Sequence, residues 1–402
     1  MSPFAFAWRG LLRQPGRTLL GIAGIAATGA LLFDMLMLSD GLVVSMERLL
    51  QGVGFDVRVT ATPATPLTGP PLTGASDTAA AIAALPEVRD VVPLRIGDAA
   101  VDVRGRRETI GLIGADAHDR RPWTVVDGRD VDPPRTDDET STLLIVVNRN
   151  MAQRLGLQPG SALALRGACT PGSSVPPVVF QVTGIVEFPF DQASQLTAIT
   201  NLANFARTCG LATDDEADIL MIASRPEAGP TAAAEAIRRI RPDVTALTNE
   251  ELVARFQQVE FSYFRQISLV LATITMFFGL LLISVLLAVS TNQRLGEIAA
   301  LRALGFSKTR MVSDVLWRSA LLVGAGGLVA LPLGLALSIW LDELLQTMPG
   351  IPANLRFFVF EPRALLLYVV LLIVTMAAAA VYPMRIVSRL PISATLRSEV
   401  IG

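Results

Sequence analysis

The sequence predicts an α-helical membrane protein with four transmembrane helices and a mixed α+β extracytoplasmic domain inserted between the first and second. Three observations lead there. The chain of 402 residues is 51% hydrophobic and only 17% charged, with a mean hydropathy of +0.49, too apolar for an ordinary soluble protein. Its apolar residues gather in four runs, each long enough at about 20 residues to cross a bilayer as a helix. Between the first two runs lies a long stretch, 41–265, of ordinary globular composition.

Orientation follows from the basic residues, because Arg and Lys near span ends stay on the cytoplasmic side. Arg9, Arg13 and Arg17 precede the first run, Arg294, Arg302, Lys308 and Arg310 lie between the second and third, and Arg385, Arg389 and Arg397 follow the fourth. In a four-span chain all three clusters fall on one side. Residues 41–263 carry 20 Arg against 28 Asp and Glu, about −8, which leaves +6 for the remainder of a chain whose net charge is −2. Both termini are therefore expected in the cytoplasm, with the domain outside.

Residues 1–17 read as a cytoplasmic amphipathic segment and 18–40 as the first span. A basic front and the small residues of "IAATGA" also fit a secretory signal. The apolar run, however, outlasts the usual core of about 7–15 residues and continues through "LLFDMLML", so a retained anchor is expected. Asp34 falls inside this run, where a charge is costly and often functional. It can instead sit wetted near the outer interface, or pair with Arg265 at the outer end of span two.

In the outer domain, "FDVRV" (55–59) alternates like a strand and "TPATPLTGPPLTGAS" reads as a loop. "DTAAAIAALPEV" is a short helix with Ser76 or Asp77 as cap and Pro86 as stop. "DVVPLRI", "AAVDVRG" and "ETIGLIGA" are three strand-like runs, and "DGRDVDPPRTDDETS" a polar connection. "TLLIVVN", "RNMAQRLGL", "QPG" and "SALALRG" make a strand, helix, turn, strand unit; "PVVFQVTGIVEF" and "ADILMIAS" are further strands and "TAAAEAIRRI" another helix. Cys169 and Cys209 both fall here, where an oxidising compartment permits a disulfide; two unrelated thiols fit equally, since sequence gives no distance. His118, in "GADAHDRRPW", reads as a solvated loop residue with nothing beside it to build a metal site.

From Thr248 the chain shows neither Gly nor Pro until Gly279, and Thr248 with Glu251 fits a capping box. A helix from 248 to 292 would run roughly 65 Å, against about 30 Å of hydrocarbon. Half of it would stand outside the bilayer as a stalk. The first span can likewise extend through "SDGLVVSMERLLQ", although Gly41 weakens that extension. Two stiff helices would then join membrane and domain; short flexible linkers are the alternative.

Span two is 266–291, span three 313–341, the outer connection 342–363, span four 364–383 and the cytoplasmic tail 384–402. In span three the small residues Ala320 and Gly324, and Gly326, Ala330 and Gly334, recur four apart and mark close packing against other spans. Pro332 is expected to kink it. No chain of ionisable groups continues through the other spans, which tells against a proton relay.

The inner connection 292–312 reads "NQRLGEIAALRALGFSKTRMV". Leu295, Ile298, Leu301 and Leu304 step by three, so its apolar residues drift around the helix instead of forming one stripe. That suits a helix held between its own spans and a cytoplasmic partner more than one lying on a membrane surface. Gly305 can end it and Ser307 cap the next helix.

This segment resembles the signature of the FtsX-like permease family, the MacB-type or type VII ABC transporters, in which a pattern similar to R-x-x-E-I-G/A-x-L-R-A-L/I-G precedes the third span. Arg294, Glu297, Ile298, Leu301, Arg302, Ala303, Leu304 and Gly305 match it. "AWRGLLRQPGRTLL" resembles the family's N-terminal W-x-N-L-x-R-x-x-x-R-T with Gly10 in place of Asn. "VVNRNMAQRLGLQPGSALAL" and "FQVTGIV" look like its outer domain, and "YPMRIVSRLPISATLRSE" like its C-terminal pattern, with Met384 for the usual Ala and Thr395 shifting the small residues.

The resemblance implies a permease subunit moved by a separate ABC ATPase, with 294–305 as the coupling helix, two permease chains per complex as homodimer or related heterodimer, and a periplasmic adaptor or lipoprotein acceptor as a further partner. No cofactor is expected in this chain; ATP and Mg would belong to the ATPase, since no G-x-x-x-x-G-K-S/T occurs here. The substrates implied are lipids, lipoproteins or other amphiphiles. The same topology would serve a regulator of cell-wall enzymes or a membrane receptor. An integral-membrane enzyme is disfavoured by the single His, the lack of a triad and the lack of paired intramembrane acids. The Arg residues are dispersed, so nucleic-acid binding is not expected.

Overall fold

The computed structural model describes residues 3–13, 15–63, 69–103, 105–117, 119–131, 142–169, 175–192, 194–258, 262–293, 307–346, 348, 352, 355–359 and 362–388. In chain order these form α1 (Pro3–Leu12), α2 (Pro15–Gly52), β1 (Val57–Thr60), β2 (Leu72–Thr73), α3 (Ala75–Ala83), β3 (Val88–Val103), β4 (Arg106–Ala115), β5 (Thr124–Gly128), β6 (Leu144–Asn148), α4 (Arg149–Leu155), β7 (Ala162–Gly167) and β8 (Val178–Glu187). They continue with β9 (Thr197–Thr200), α5 (Leu202–Cys209), β10 (Glu216–Ala217), β11 (Ile219–Ser224), α6 (Gly229–Ile240), β12 (Thr245–Thr248), α7 (Asn249–Gln258), α8 (Ser262–Asn292), α9 (Lys308–Gln346) and α10 (Pro362–Ser388). The chain divides into a helical unit (1–43, 259–343, 356–402) and an α/β unit (44–258, 344–355).

The α/β unit holds two kinds of packing. Strands β12, β1, β11 and β3 lie side by side in that order, each antiparallel to its neighbour. Read along the chain, β1, α3, β3, β11, α6 and β12 make the β-α-β-β-α-β order of a ferredoxin-like unit. The sheet is covered by the helices through Val57, Ile82, Leu220, Ile222, Ala233, Ile237 and Ala246. Between β3 and β11 the chain inserts a second body. There β3 pairs with β4, β4 with β9, β9 with β6, β6 with β8, β8 with β7, and β7 returns to β3. This six-strand circuit closes on itself and encloses Val101, Ile110, Leu112, Ile145, Val147, Leu165, Phe180 and Val182. Closure leaves such strands without free edges.

Several local expectations meet a different outcome. "DVVPLRI" and "AAVDVRG" are one strand, β3, running through Gly97. A side chain at Gly97 would meet Cys169 Sγ at 3.0 Å and the Phe205 ring at 3.1 Å, so this glycine marks close approach and not a turn. Helix α3 starts earlier than Ser76 or Asp77 would cap it, after Gly74 at φ 64°, with no side-chain cap of its own. Its N-terminus is satisfied from a distant residue: the Asp215 carboxylate accepts from Ser76 N at 2.7 Å, which holds that carboxyl below its ordinary range. Strand β9 and helix α5, the latter capped by Asn201 accepting from Asn204 N, were not anticipated from sequence.

Among the described residues four helices are long and apolar enough to cross a membrane: α2, α8 over Gln266–Val289, α9 over Val312–Gln346 and α10 over Pro362–Val381. Ala30, Phe33, Met37, Ala330, Ala364 and Tyr368 pack together at one level, with the Phe33 and Tyr368 rings edge to face at 5.4 Å. Ile25, Ile283, Leu287, Leu322, Val323 and Ala379 pack at another. Helix α9 continues through Pro332, which is exposed.

Candidate functional site

The functional reading of the sequence rests on a cytoplasmic helix, on the packing of the spans and on stiff helices leading out of the membrane. Of these, Arg294, Glu297, Ile298, Leu301, Arg302, Ala303, Leu304 and Gly305 lie outside the described residues, as does His118. The elements on either side are defined: α8 ends at Asn292 and α9 begins at Lys308. Close to that junction the Arg17 guanidinium, near the start of α2, donates to Gln293 Oε1.

The small residues of α9 divide into two groups. A side chain at Gly326 would meet Ile25 at 2.6 Å, and one at Gly334 would meet Phe33 at 3.0 Å and the Ala30 carbonyl at 3.4 Å. Ala330 is fully buried opposite Gly29, whose own added Cβ would come within 2.9 Å of it. These three seat α9 against α2, as small-xxx-small spacing permits. Gly324 instead faces open space and Ala320 is half-buried, because between them Leu322 and Val323 take the buried face of α9. Gly327, next to Gly326, serves α10: its Cβ would meet Leu372 at 2.7 Å.

Asp34 is not wetted. It has no exposed surface, and its Oδ1 accepts from the Ser338 hydroxyl at 2.5 Å, while among the described residues Oδ2 has no partner. The partner is thus a hydroxyl one turn beyond Gly334 on α9. The side chain of Arg265 lies outside the described residues. Nothing in the sequence singled out Ser338; its i+4 spacing from Gly334, on the face that meets α2, is the signal that would have found it.

Helix α2 runs 38 residues without interruption, about 57 Å at 1.5 Å per residue, close to twice the hydrocarbon thickness of about 30 Å. Gly41 does not break it. The backbone of the α9–α10 connection crosses α2 there, so close that an added Cβ would stand 2.3 Å from the Phe357 carbonyl oxygen and 2.8 Å from Val359 N. Asp342, near the end of α9, holds this connection by accepting from Phe357 N at 2.8 Å and Phe358 N at 3.4 Å. Asp342 went unremarked in the sequence, although a carboxylate closing an apolar run in "WLDELL" is a cap in search of free amides. Gly41→Val has no room without moving that backbone, and overpacking of this kind typically costs about 1–3 kcal/mol. A lowered thermal unfolding temperature of the full chain in detergent is the expected result, with Gly52→Val, whose Cβ meets nothing within 4 Å, as the tolerant control.

The second exit is α7, where the capping box is formed in full. Glu251 N donates to Thr248 Oγ1 at 3.1 Å and Thr248 N to Glu251 Oε2 at 3.0 Å. Continuity of α7 into α8 turns on 259–261, outside the described residues. In the α/β unit Cys169 and Cys209 form a disulfide, with Cα atoms 5.4 Å apart and 40 residues between them in sequence, tying the end of β7 to the end of α5.

Comparison with known proteins agrees with this architecture. Residues 18–240 match the MacB-like periplasmic core domain, and residues 269–392, a stretch that includes 294–305, match the FtsX-like permease C-terminal domain. No curated protein matches the chain. Among solved structures, the extracellular domain of the noncanonic ABC-type transporter YknZ from Gram-positive bacteria is 12% identical, covering 48% of this chain and 98% of that one at a TM-score of 0.34. The periplasmic region of MacB from Actinobacillus actinomycetemcomitans is 11% identical, covering 52% and 95% at a TM-score of 0.37. With one domain match spanning more than half its length and the second covering its last three long apolar helices, the chain belongs to the FtsX-like, MacB-type family of ABC transporter permeases.

Proposed function

We propose that this permease subunit receives work from a separate ABC ATPase at residues 294–305 and delivers it along α2 and the α7–α8 segment to the α/β unit, which stands outside the plasma membrane. The observation that carries the reading is α2 itself, a single helix about twice as long as a span requires. A flexible linker would dissipate displacement, whereas a continuous helix passes it on. The disulfide supports the placement of the α/β unit, because such bonds persist in oxidising compartments and not in the cytosol. The distribution of Arg residues supports the same orientation, with both termini in the cytoplasm.

The working complex contains the ATPase, which binds ATP and Mg, and a second permease chain, identical or related. The cargo is a lipid, a lipoprotein or another amphiphile handled at the outer face, with a periplasmic adaptor or lipoprotein acceptor as the receiving partner. A cell-wall-enzyme regulator would share the topology. The test is whether an ABC ATPase is encoded beside this chain and co-purifies with it, followed by ATPase assays of that complex in nanodiscs with amphiphilic cargo. Formation of a stable complex whose hydrolysis responds to cargo is the expected result. A full chain that performs its task with no nucleotide hydrolase present would overturn it.

A further inference from the structure

Asn249, the first residue of α7, is 8% exposed, and both polar groups of its side chain and its backbone N–H are hydrogen-bonded. Its side-chain Nδ2 donates to the Leu50 carbonyl in the last turn of α2 at 3.3 Å and to the Phe55 carbonyl at 3.0 Å. Its Oδ1 accepts from the Arg58 guanidinium on β1, and its backbone N–H donates to the Asp56 carbonyl at 2.9 Å. The Asp56 carboxylate in turn accepts from Ser224 N at 2.9 Å and from the Ser224 hydroxyl, which brings β11 into the same network. Arg58 is 7% exposed, and burial pushes its pKa down to about 10 against the opposing pull of Asp56. Keeping it charged at neutral pH therefore costs stability, a cost removed only as pH rises above about 10. A buried charge retained at a cost fits a place where the fold needs a fixed geometry more than it needs packing.

We propose that Asn249 is a positioning residue: a pin that fastens the end of α2 to the start of α7 and both to β1, so that the two helices entering the α/β unit act there as one element. Its mechanical value rests on the transmission reading above, but the pin itself is tested without an ATPase. Spin labels at the exposed positions Arg48 on α2 and Ala254 on α7 report the separation of the helices in the full chain. Wild type is expected to show one narrow distance distribution. Asn249→Ala and Asn249→Asp are each expected to broaden it at least twofold.

Asp at 249 keeps an acceptor for Arg58 and adds a favourable acidic group to the first turn of α7, yet it lacks the donors to Leu50 and Phe55. Asn249→Asp should therefore lose less unfolding temperature than Asn249→Ala while losing the narrow distribution as fully, a separation that a merely structural role would not produce. A distribution as narrow in Asn249→Asp as in wild type, or one already broad in wild type, would overturn the pin. Failure of the transmission reading looks different: a narrow wild-type distribution, sensitive to Asn249, in a complex whose α/β unit does not respond to ATP.

Discussion

Leu301→Asp, and independently Glu297→Lys, is expected to lower cargo-dependent ATP hydrolysis of the assembled complex at least tenfold while leaving membrane insertion and folding of the chain intact. The sequence around Leu301 predicts a helix whose apolar residues would drift around its axis, as expected of one contacted on several sides. A carboxylate driven into such a contact must be desolvated without a partner. Central contact residues of an interface commonly account for about 2 kcal/mol or more, and about 1.4 kcal/mol is already tenfold in binding. Glu297→Lys reverses a charge and is expected to reduce k_on with a marked salt dependence. Pull-down of the ATPase from detergent extracts, with hydrolysis measured in parallel, checks both. Undiminished ATP-dependent activity in both variants would remove the coupling assignment from 294–305.

The second large effect is on stability. Replacing Cys209 by Ser opens a cross-link between residues 40 apart, and the loop-entropy relation assigns such a closure about 4 kcal/mol. The site itself adds to this, since Cys209 is 2% exposed and packs with Phe205 and Leu165 in the closed-strand body. Chemical denaturation of the chain followed through the α/β unit should show a loss of that order in Cys209→Ser, and a similar loss on reduction of the wild type. A change below about 1 kcal/mol would mean that the six-strand circuit holds without its staple.

The four long apolar helices were legible because their information is local: a run of about 20 apolar residues needs no partner to be read. The same holds for the Thr248–Glu251 capping box and for the strand, helix, turn, strand unit at 144–167, whose signals lie within a few residues of each other. What sequence could not supply is pairing between distant segments. Closure of the strand circuit depends on two short contacts, Ala99 and Ala100 with Gly167 and Arg166, and β4 with β9, neither of which leaves a periodicity. The runs "DVVPLRI" and "AAVDVRG" read as two strands where the structure has one, because a glycine needed for room, as Gly97 is, and a glycine needed for a turn look alike in one dimension. Asp34 shows the same limit: its cost in an apolar run is readable, but Ser338 is 304 residues away. Gly324, whose added Cβ meets nothing within 4 Å in the single chain, shows that four-residue spacing of small side chains says how a helix could pack, not against what.

The central claim, that α2 carries ATP-driven displacement out of the membrane, is tested most directly by the distance between a probe at Gln51, exposed near the end of α2, and one at Arg363, exposed at the start of α10. The measurement uses the full complex in nanodiscs with and without a non-hydrolysable ATP analogue. A reproducible shift of the distribution on nucleotide binding, lost in Leu301→Asp, is the result expected. A distribution identical in both states of a complex that hydrolyses ATP and handles its cargo would contradict it.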